Sequence, residues 1–333
     1  MRRWGVRIAK FAVTFVGIGW VFSRISTEFA DQPDVAIELL TAVRYDFLFG
    51  ALVLTAISMF LSSLQWRFLL GRQGIDFSVK KATRLYFVGL FFNTFMPGNV
   101  GGDAKKIYDV YSSEGDLSRG FTATVFDRLF GLFVLTLIGV VAGFLSVHRD
   151  LEGGRYLLPS LWIFLGMLLL FAALLSRRIG EFILLLFRKI KFQWGSERFS
   201  LLFERFRLYR KGQLLTGVLL FSLVIQSTRI LVHWMLALSL GLEAPLVIYF
   251  FFVPLIGVVS ALPISIGGFG PRELIAQNLF ALVSFSSIES FVLTELSVLV
   301  VIAVSLPGGI AFLFSEKRKM QPERNKSLNS ASS

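Results

Sequence analysis

Apolar residues in this chain gather into long runs, and the polar positions cluster between them. Runs at about 4–25, 47–70, 121–147, 156–176, 213–241 and 290–314 are each long enough to cross a hydrocarbon layer of about 30 Å, which takes about 20 helical residues. Within lipid a segment must satisfy its own backbone donors and acceptors, so all six are predicted as helices. The opening MRRWGVRIAKF has the basic flank of a signal peptide, but no small-residue cleavage site follows, so the first run is expected to be a retained span.

Two shorter apolar segments, 85–97 and 246–263, each end at a proline followed by a glycine pair. They read TFMPGNVGGDAKKIY and SALPISIGGFGPREL. Pro97, Gly101 and Gly102 match Pro263, Gly267 and Gly268 at one offset of 166 residues. The same offset carries 47–70 onto 213–236 and 121–147 onto 287–313. The chain therefore reads as two homologous halves, 1–147 and 148–314. The first half starts on the cytoplasmic side and the second outside, so the halves are inverted.

Each half is expected to hold two spans, a re-entrant hairpin and a third span. The hairpins fall at 85–112 and 246–286, hinged at Pro97 and Pro263, with their elbows meeting near mid-depth. The predicted fold class is thus an all-α polytopic membrane protein with inverted-topology repeats. The plain alternative is that these prolines and glycines only kink two packed helices.

Composition agrees with a membrane solvent: 55% of residues are hydrophobic, 15% aromatic and 17% charged. The net charge of +12 does not point to nucleic acid, because the basic residues sit in the connections between apolar runs. Most of them lie at the N-terminus, in 67–84, in 177–212 and after 314. Lys and Arg are retained on the cytoplasmic side of short loops. A cell-membrane protein with both termini cytoplasmic is therefore expected. The 177–212 connection reads as a basic amphipathic element lying on anionic lipid, and 315–333 as a disordered cytoplasmic tail.

The absence of cysteine removes disulfides, thiolate nucleophiles and Cys-ligated metals. His148 and His233 have no metal-ligand spacing, and neither a nucleotide-binding glycine loop nor a nucleophile-elbow serine is visible. No cofactor, metal, soluble catalytic domain or enzyme constellation is expected.

The candidate chemistry lies after the two elbows. Asp103 suits an N-cap, and Pro271 suits a first helical position. A helix N-terminus flanked by glycine presents backbone N–H groups to phosphate. Lys105, Lys106 and Arg272 add full charges there, with Arg272 able to clamp a phosphate bidentately. The alternative is that these cations pair with Asp103 and Glu273, or snorkel to headgroups. Arg229 and His233, four residues apart in one span, predict a polar seam on one helical face. Asp127-Arg128 reads as an interfacial pair, and Glu295 as a solvated or hydrogen-bonded carboxylate.

The motifs PGNVGGDAKKIY and LPISIGGFGPRE resemble the signatures of the lysylphosphatidylglycerol synthase transmembrane-region family, over nearly the whole chain. The resemblance implies a multi-span fold. In the best understood members it implies movement of an aminoacylated phosphatidylglycerol between leaflets; other members are grouped with glycan or polyprenyl-lipid pathways. Bifunctional members carry a soluble aminoacyl-transferase domain after the membrane part. Here the chain ends shortly after its last span, so synthase activity is not implied. The motif positions carried over are Pro97, Asn99, Gly101, Gly102, Asp103, Lys106, Pro263, Gly267, Gly268, Gly270, Arg272 and Glu273.

The sequence thus points to a lipid flippase acting on an anionic aminoacyl-phospholipid or polyprenyl-phosphate-linked lipid. One rival is a membrane-embedded transferase acting on a lipid phosphate, with Asp103 or Glu273 as base. The other is a non-catalytic membrane partner of a cytoplasmic synthase.

Overall fold

The computed structural model describes residues 33–95, 101–149, 154–176, 201–261 and 270–329. The expected span 4–25, both proline elbows and residues 177–200 lie outside them. Among the described residues all regular structure is helical. The main helices are α1 (Pro33–Thr41), α2 (Tyr45–Arg72), α3 (Val79–Phe95), α4 (Gly101–Glu114) and α5 (Leu117–His148). They continue with α6 (Leu157–Leu175), α7 (Gly212–Ser239), α8 (Leu246–Ala261), α9 (Pro271–Phe280) and α10 (Ser287–Asn329).

Among the described residues, five segments are long and apolar enough to cross a membrane: Tyr45–Arg72, Leu117–His148, Gly154–Leu175, Gly212–Ser239 and Ser287–Phe314. They coincide with the expected spans to within a few residues. The helix containing the last span does not stop at 314. It runs to Asn329 through residues expected to be a disordered tail, a stretch rich in the helix formers Glu, Lys, Arg, Gln and Met.

The two shorter apolar segments each form a helix broken from the next: α3 from α4, and α8 from α9. α3 begins at Val79 rather than at 85, because Ser78 caps it by accepting from the N–H of Lys81 at 3.2 Å. Between α4 and α5 the chain turns on Gly115, whose φ of +74° is costly for residues with a Cβ. Asp116 then caps α5, accepting from the N–H groups of Ser118 and Arg119 at 2.9 and 3.3 Å.

Large apolar side chains such as Phe49, Ile57, Trp162, Leu169, Leu220 and Ile310 are exposed, as lipid-facing positions of a membrane protein are. α6 buries only Ser160 and Phe171 and packs on α5 at the periphery. The interior is built on fully buried Trp66, Phe126, Tyr209, Tyr249, Phe251 and Phe252. The most extensive helix contacts are α2 with α7, α5 with α8, and α3 with α10.

Candidate functional site

Close helix approach sets the site's first wall. A Cβ on Gly102 would lie 1.8 Å from the carbonyl oxygen of Gly89, so only glycine lets α4 start against α3. The Gly102 N–H donates to Asn93 Oδ1 at 2.7 Å. The start of α4 is thus anchored by an α3 side chain, and Asp103 lies inside the first turn of α4 rather than at its cap.

Asp103 and Lys106 are both buried, and they pair at 3.0 Å. The other Asp103 oxygen meets Arg128 Nη1 of α5 at 2.9 Å. Lys106 Nζ also lies 4.8 Å from the Tyr86 ring centroid, a cation–π distance. Lys105 instead turns to its own helix, pairing with Asp109, and does not reach the cavity described below.

The break between α8 and α9 is held differently. Gly270, with φ +90°, precedes Pro271 and donates its N–H to the Glu273 carboxylate in a capping arrangement. Arg272 Nε and Nη2 reach Glu273 Oε1 at 2.8 and 2.5 Å. Arg272 Nη2 also donates to Glu295 Oε1 of α10 at 2.7 Å. All three side chains are buried. Glu295 is therefore an ion-paired interior carboxylate.

Between the two breaks, polar side chains of α2, α5 and α7 cross-link the bundle. Ser222 Oγ donates to Gln65 Oε1 at 2.9 Å, and Gln65 Nε2 donates to Asp127 Oδ1 at 2.9 Å. Gln226 Nε2 donates to the carbonyl of Gly131 at 3.1 Å. Arg229 Nη2 donates to Ser62 Oγ at 3.2 Å, and His233 Nδ1 lies 2.9 Å from the Arg229 carbonyl. Arg229 Nε is buried and has no hydrogen-bond partner among the described residues.

These groups enclose a cavity of about 450 Å³. Asp103, Lys106, Asp127, Arg128, Arg229, His233 and Arg272 all line it. Of the residues singled out from sequence, it therefore gathers Asp103, Lys106, Arg229, His233 and Arg272. Glu273 stands behind Arg272, and Gly101 and Gly102 lie in the first turn of α4. Pro97, Asn99, Pro263, Gly267 and Gly268 lie outside the described residues. The expectation that Asp127-Arg128 is an interfacial pair is overturned: both line the cavity, Arg128 bonding Asp103 and Asp127 taking Gln65. Their place near the end of an apolar run concealed that α5 turns them toward α2 and α4. Asn93, Gln65 and Ser222 carried no motif, and only a polar residue inside an apolar run marked them.

Helices of spanning length, lipid-facing apolar surfaces and a charged interior cavity define a multi-pass integral membrane protein. Residues 7–304 match the family described as the lysylphosphatidylglycerol synthase TM region, and the chain belongs to that family. A UPF0104 membrane protein of Pyrococcus horikoshii is 26% identical over 307 residues, covering 84% of this chain and 90% of that protein. A UPF0104 membrane protein of Methanothermobacter thermautotrophicus is 26% identical over 255 residues, covering 69% of this chain and 72% of the relative.

Proposed function

We propose that this protein translocates a phosphate-bearing lipid between leaflets, an aminoacyl-phospholipid or a polyprenyl-phosphate-linked lipid, by binding its phosphate in the interior cavity. One observation carries this reading. The cavity wall carries four cationic side chains, Lys106, Arg128, Arg229 and Arg272, against two carboxylates, Asp103 and Asp127. That excess of positive charge on the wall is complemented by an anionic group. An ionisable group at membrane depth is a functional candidate in its own right.

A cavity of about 450 Å³ lies within the range of ligand pockets, roughly 300–1,000 Å³. That is room for a headgroup, while the acyl or prenyl tails would remain among lipid. The candidate phosphate ligands are Lys106 and Arg272 after the two breaks, joined by Arg128 and Arg229 from the spans. Lys105, bonded to Asp109, is reserved for a second state in which access has alternated.

The internal arrangement is read as two inverted halves, with α2 to α5 equivalent to α7 to α10. The contacts support this: exchanging the halves maps the α2–α7 contact onto itself and α3–α10 onto α8–α5. The 166-residue offset also places Arg272 opposite Lys106. Alternating access would then tilt one half against the other about the shared cavity, with both termini and 177–212 on the cytoplasmic side. The functional test is lipid movement in proteoliposomes of purified protein, with the lipid recovered chemically unchanged.

One observation favours a second reading. Asp127 faces the cavity and has no cation within ion-pair distance among the described residues. A transferase acting on a lipid phosphate would use it as base, in place of the tied Asp103 and Glu273. A modified lipid in the same assay would identify that activity.

A further inference from the structure

We infer that the Glu273–Arg272–Glu295 cluster behind the cavity is a proton site, with Glu295 taking up one proton when Arg272 engages the phosphate of an anionic lipid. This inference rests on the reading above, and it names what such a translocation would be coupled to.

Charge balance calls for a proton. Among the described residues, Lys106, Arg128, Arg229 and Arg272 of the cavity are balanced one for one by Asp103, Asp127, Glu273 and Glu295. A phosphate monoanion entering this interior adds an uncompensated negative charge where charge is expensive. One proton entering with it restores the balance, so headgroup monoanion plus proton arrive as a neutral pair.

The geometry of the cluster selects the acceptor. Arg272 lines the cavity, whereas Glu273 and Glu295 do not; they hold the guanidinium from behind. The same Nη2 serves both carboxylates, at 2.5 Å from Glu273 and 2.7 Å from Glu295. When a phosphate oxygen takes that Nη2, Glu273 keeps the Nε–H of Arg272 and the N–H of Gly270. Glu295 then loses the hydrogen bond that Arg272 gives it. Its carboxylate, with a side chain only 6% exposed, is then stranded on α10 and takes up a proton.

Among the described residues, the surroundings of Glu295 offer no substitute cation. α10 packs against α1, α2, α3, α7 and α9. From α9 come Arg272 and Glu273, and from α7 come Arg229 and His233, both turned to the cavity. On α2 the charged residues are Asp46, Arg67 and Arg72, toward the helix ends, and on α3 they are Lys80, Lys81 and Arg84 in its first two turns. Asp34 and Glu38 of α1 are exposed and acidic. On α10 itself Glu289 is engaged with Ser286. The equivalent cluster at the first break carries the opposite excess, with two cations on Asp103. An anion therefore meets a positive site at one break and a proton-dependent site at the other.

The test is calorimetric titration of the full-length purified protein at neutral pH with short-chain dihexanoyl phosphatidylglycerol, in buffers of different ionisation enthalpy. Dimethyl phosphate, the bare diester monoanion, is titrated in parallel. The slope of binding enthalpy against buffer enthalpy counts protons, and about one proton per bound lipid is expected. Uptake with the lipid alone assigns the coupling to a lipid headgroup; equal uptake with both ligands assigns it to the phosphate group itself. Glu295→Gln, which mimics the protonated acid, is expected to abolish uptake and to bind as tightly at alkaline as at acidic pH.

Lipid binding with zero proton uptake by the unmodified protein would overturn the inference and leave the translocation reading standing. Failure of the unmodified protein to bind or move any anionic lipid would overturn both. Uptake lost in Asp127→Asn but kept in Glu295→Gln would move the proton to Asp127 and overturn the assignment. The unmodified protein supplies the first result alone, so poor folding of a variant does not leave the proposal untested.

Discussion

Arg272 Nη2 of α9 and Glu295 Oε1 of α10 lie 2.7 Å apart, with the side chains 10% and 6% exposed. The pair joins the helix after the second break to the last span.

Breaking a buried pair by removing one partner costs roughly 3–5 kcal/mol, because the survivor stays charged and desolvated. Arg272→Gln should therefore lower the thermal midpoint in detergent strongly. Combining it with Glu295→Gln and Glu273→Gln should recover most of that loss without recovering lipid binding. Recovery of both would leave Arg272 a purely structural residue.

Gly102→Ala should disrupt the α3–α4 junction, because the added methyl would meet backbone rather than a movable side chain. Overpacking of this kind costs about 1–3 kcal/mol. Gly166→Ala, with open space around its Cβ position, is the matched control. The check is the monodisperse fraction on size exclusion after a heat step, with loss expected only for Gly102→Ala.

Asp116 serves the junction of α4 and α5 twice, capping α5 and pairing with Arg119 at 3.1 Å and Arg205 at 2.7 Å. Burial pushes its carboxyl up, but the Ser118 hydroxyl, the Arg205 guanidinium and the Arg119 and Ser118 N–H groups outweigh this and hold it below the ordinary 3.8. A depressed carboxylate stabilises the fold above its unfolded value, and that contribution fades as pH falls through the lower folded value. Asp116→Asn keeps a capping oxygen and should cost below about 1 kcal/mol. Asp116→Ala should cost about 1 kcal/mol more. Melting curves should show both gaps constant from neutral pH to about 4, with the Asp116→Asn gap closing only in stronger acid.

Orientation is open to direct labelling in this cysteine-free chain. Ile37 and Leu208 are both exposed. In intact cells an impermeant thiol reagent should modify Ile37→Cys and spare Leu208→Cys until the membrane is opened. The reverse pattern would invert the topology.

The spans were legible because lipid demands long uninterrupted apolar runs, and α2, α5, α6, α7 and α10 carry them. The cavity was half legible. Lys106 and Arg272 were marked by the glycine pairs before them, and Arg229 by its charge within an apolar run. Asp127 and Arg128 were misplaced because a charge near the end of a span looks the same in sequence whether it faces headgroups or a cavity. Tertiary packing of α5 against α2 and α4 decides it, through Gln65 and Asp103. In sequence the glycine pair points to phosphate, whereas the Gly102 N–H is taken by Asn93 nine residues earlier. A helix-to-helix side-chain cap of that kind leaves no local signature.

The most direct measurement is the initial rate at which fluorescent phosphatidylglycerol becomes accessible to an external quencher in proteoliposomes, at matched reconstitution. The intact protein should exceed protein-free vesicles clearly. Arg229→Gln, folded and monodisperse, should bind roughly tenfold to a hundredfold more weakly, the loss of one charge-assisted contact of about 1.5–3 kcal/mol, and its rate at limiting lipid should fall accordingly. An intact protein no faster than empty vesicles, or an Arg229→Gln variant at full rate, would contradict translocation through this cavity.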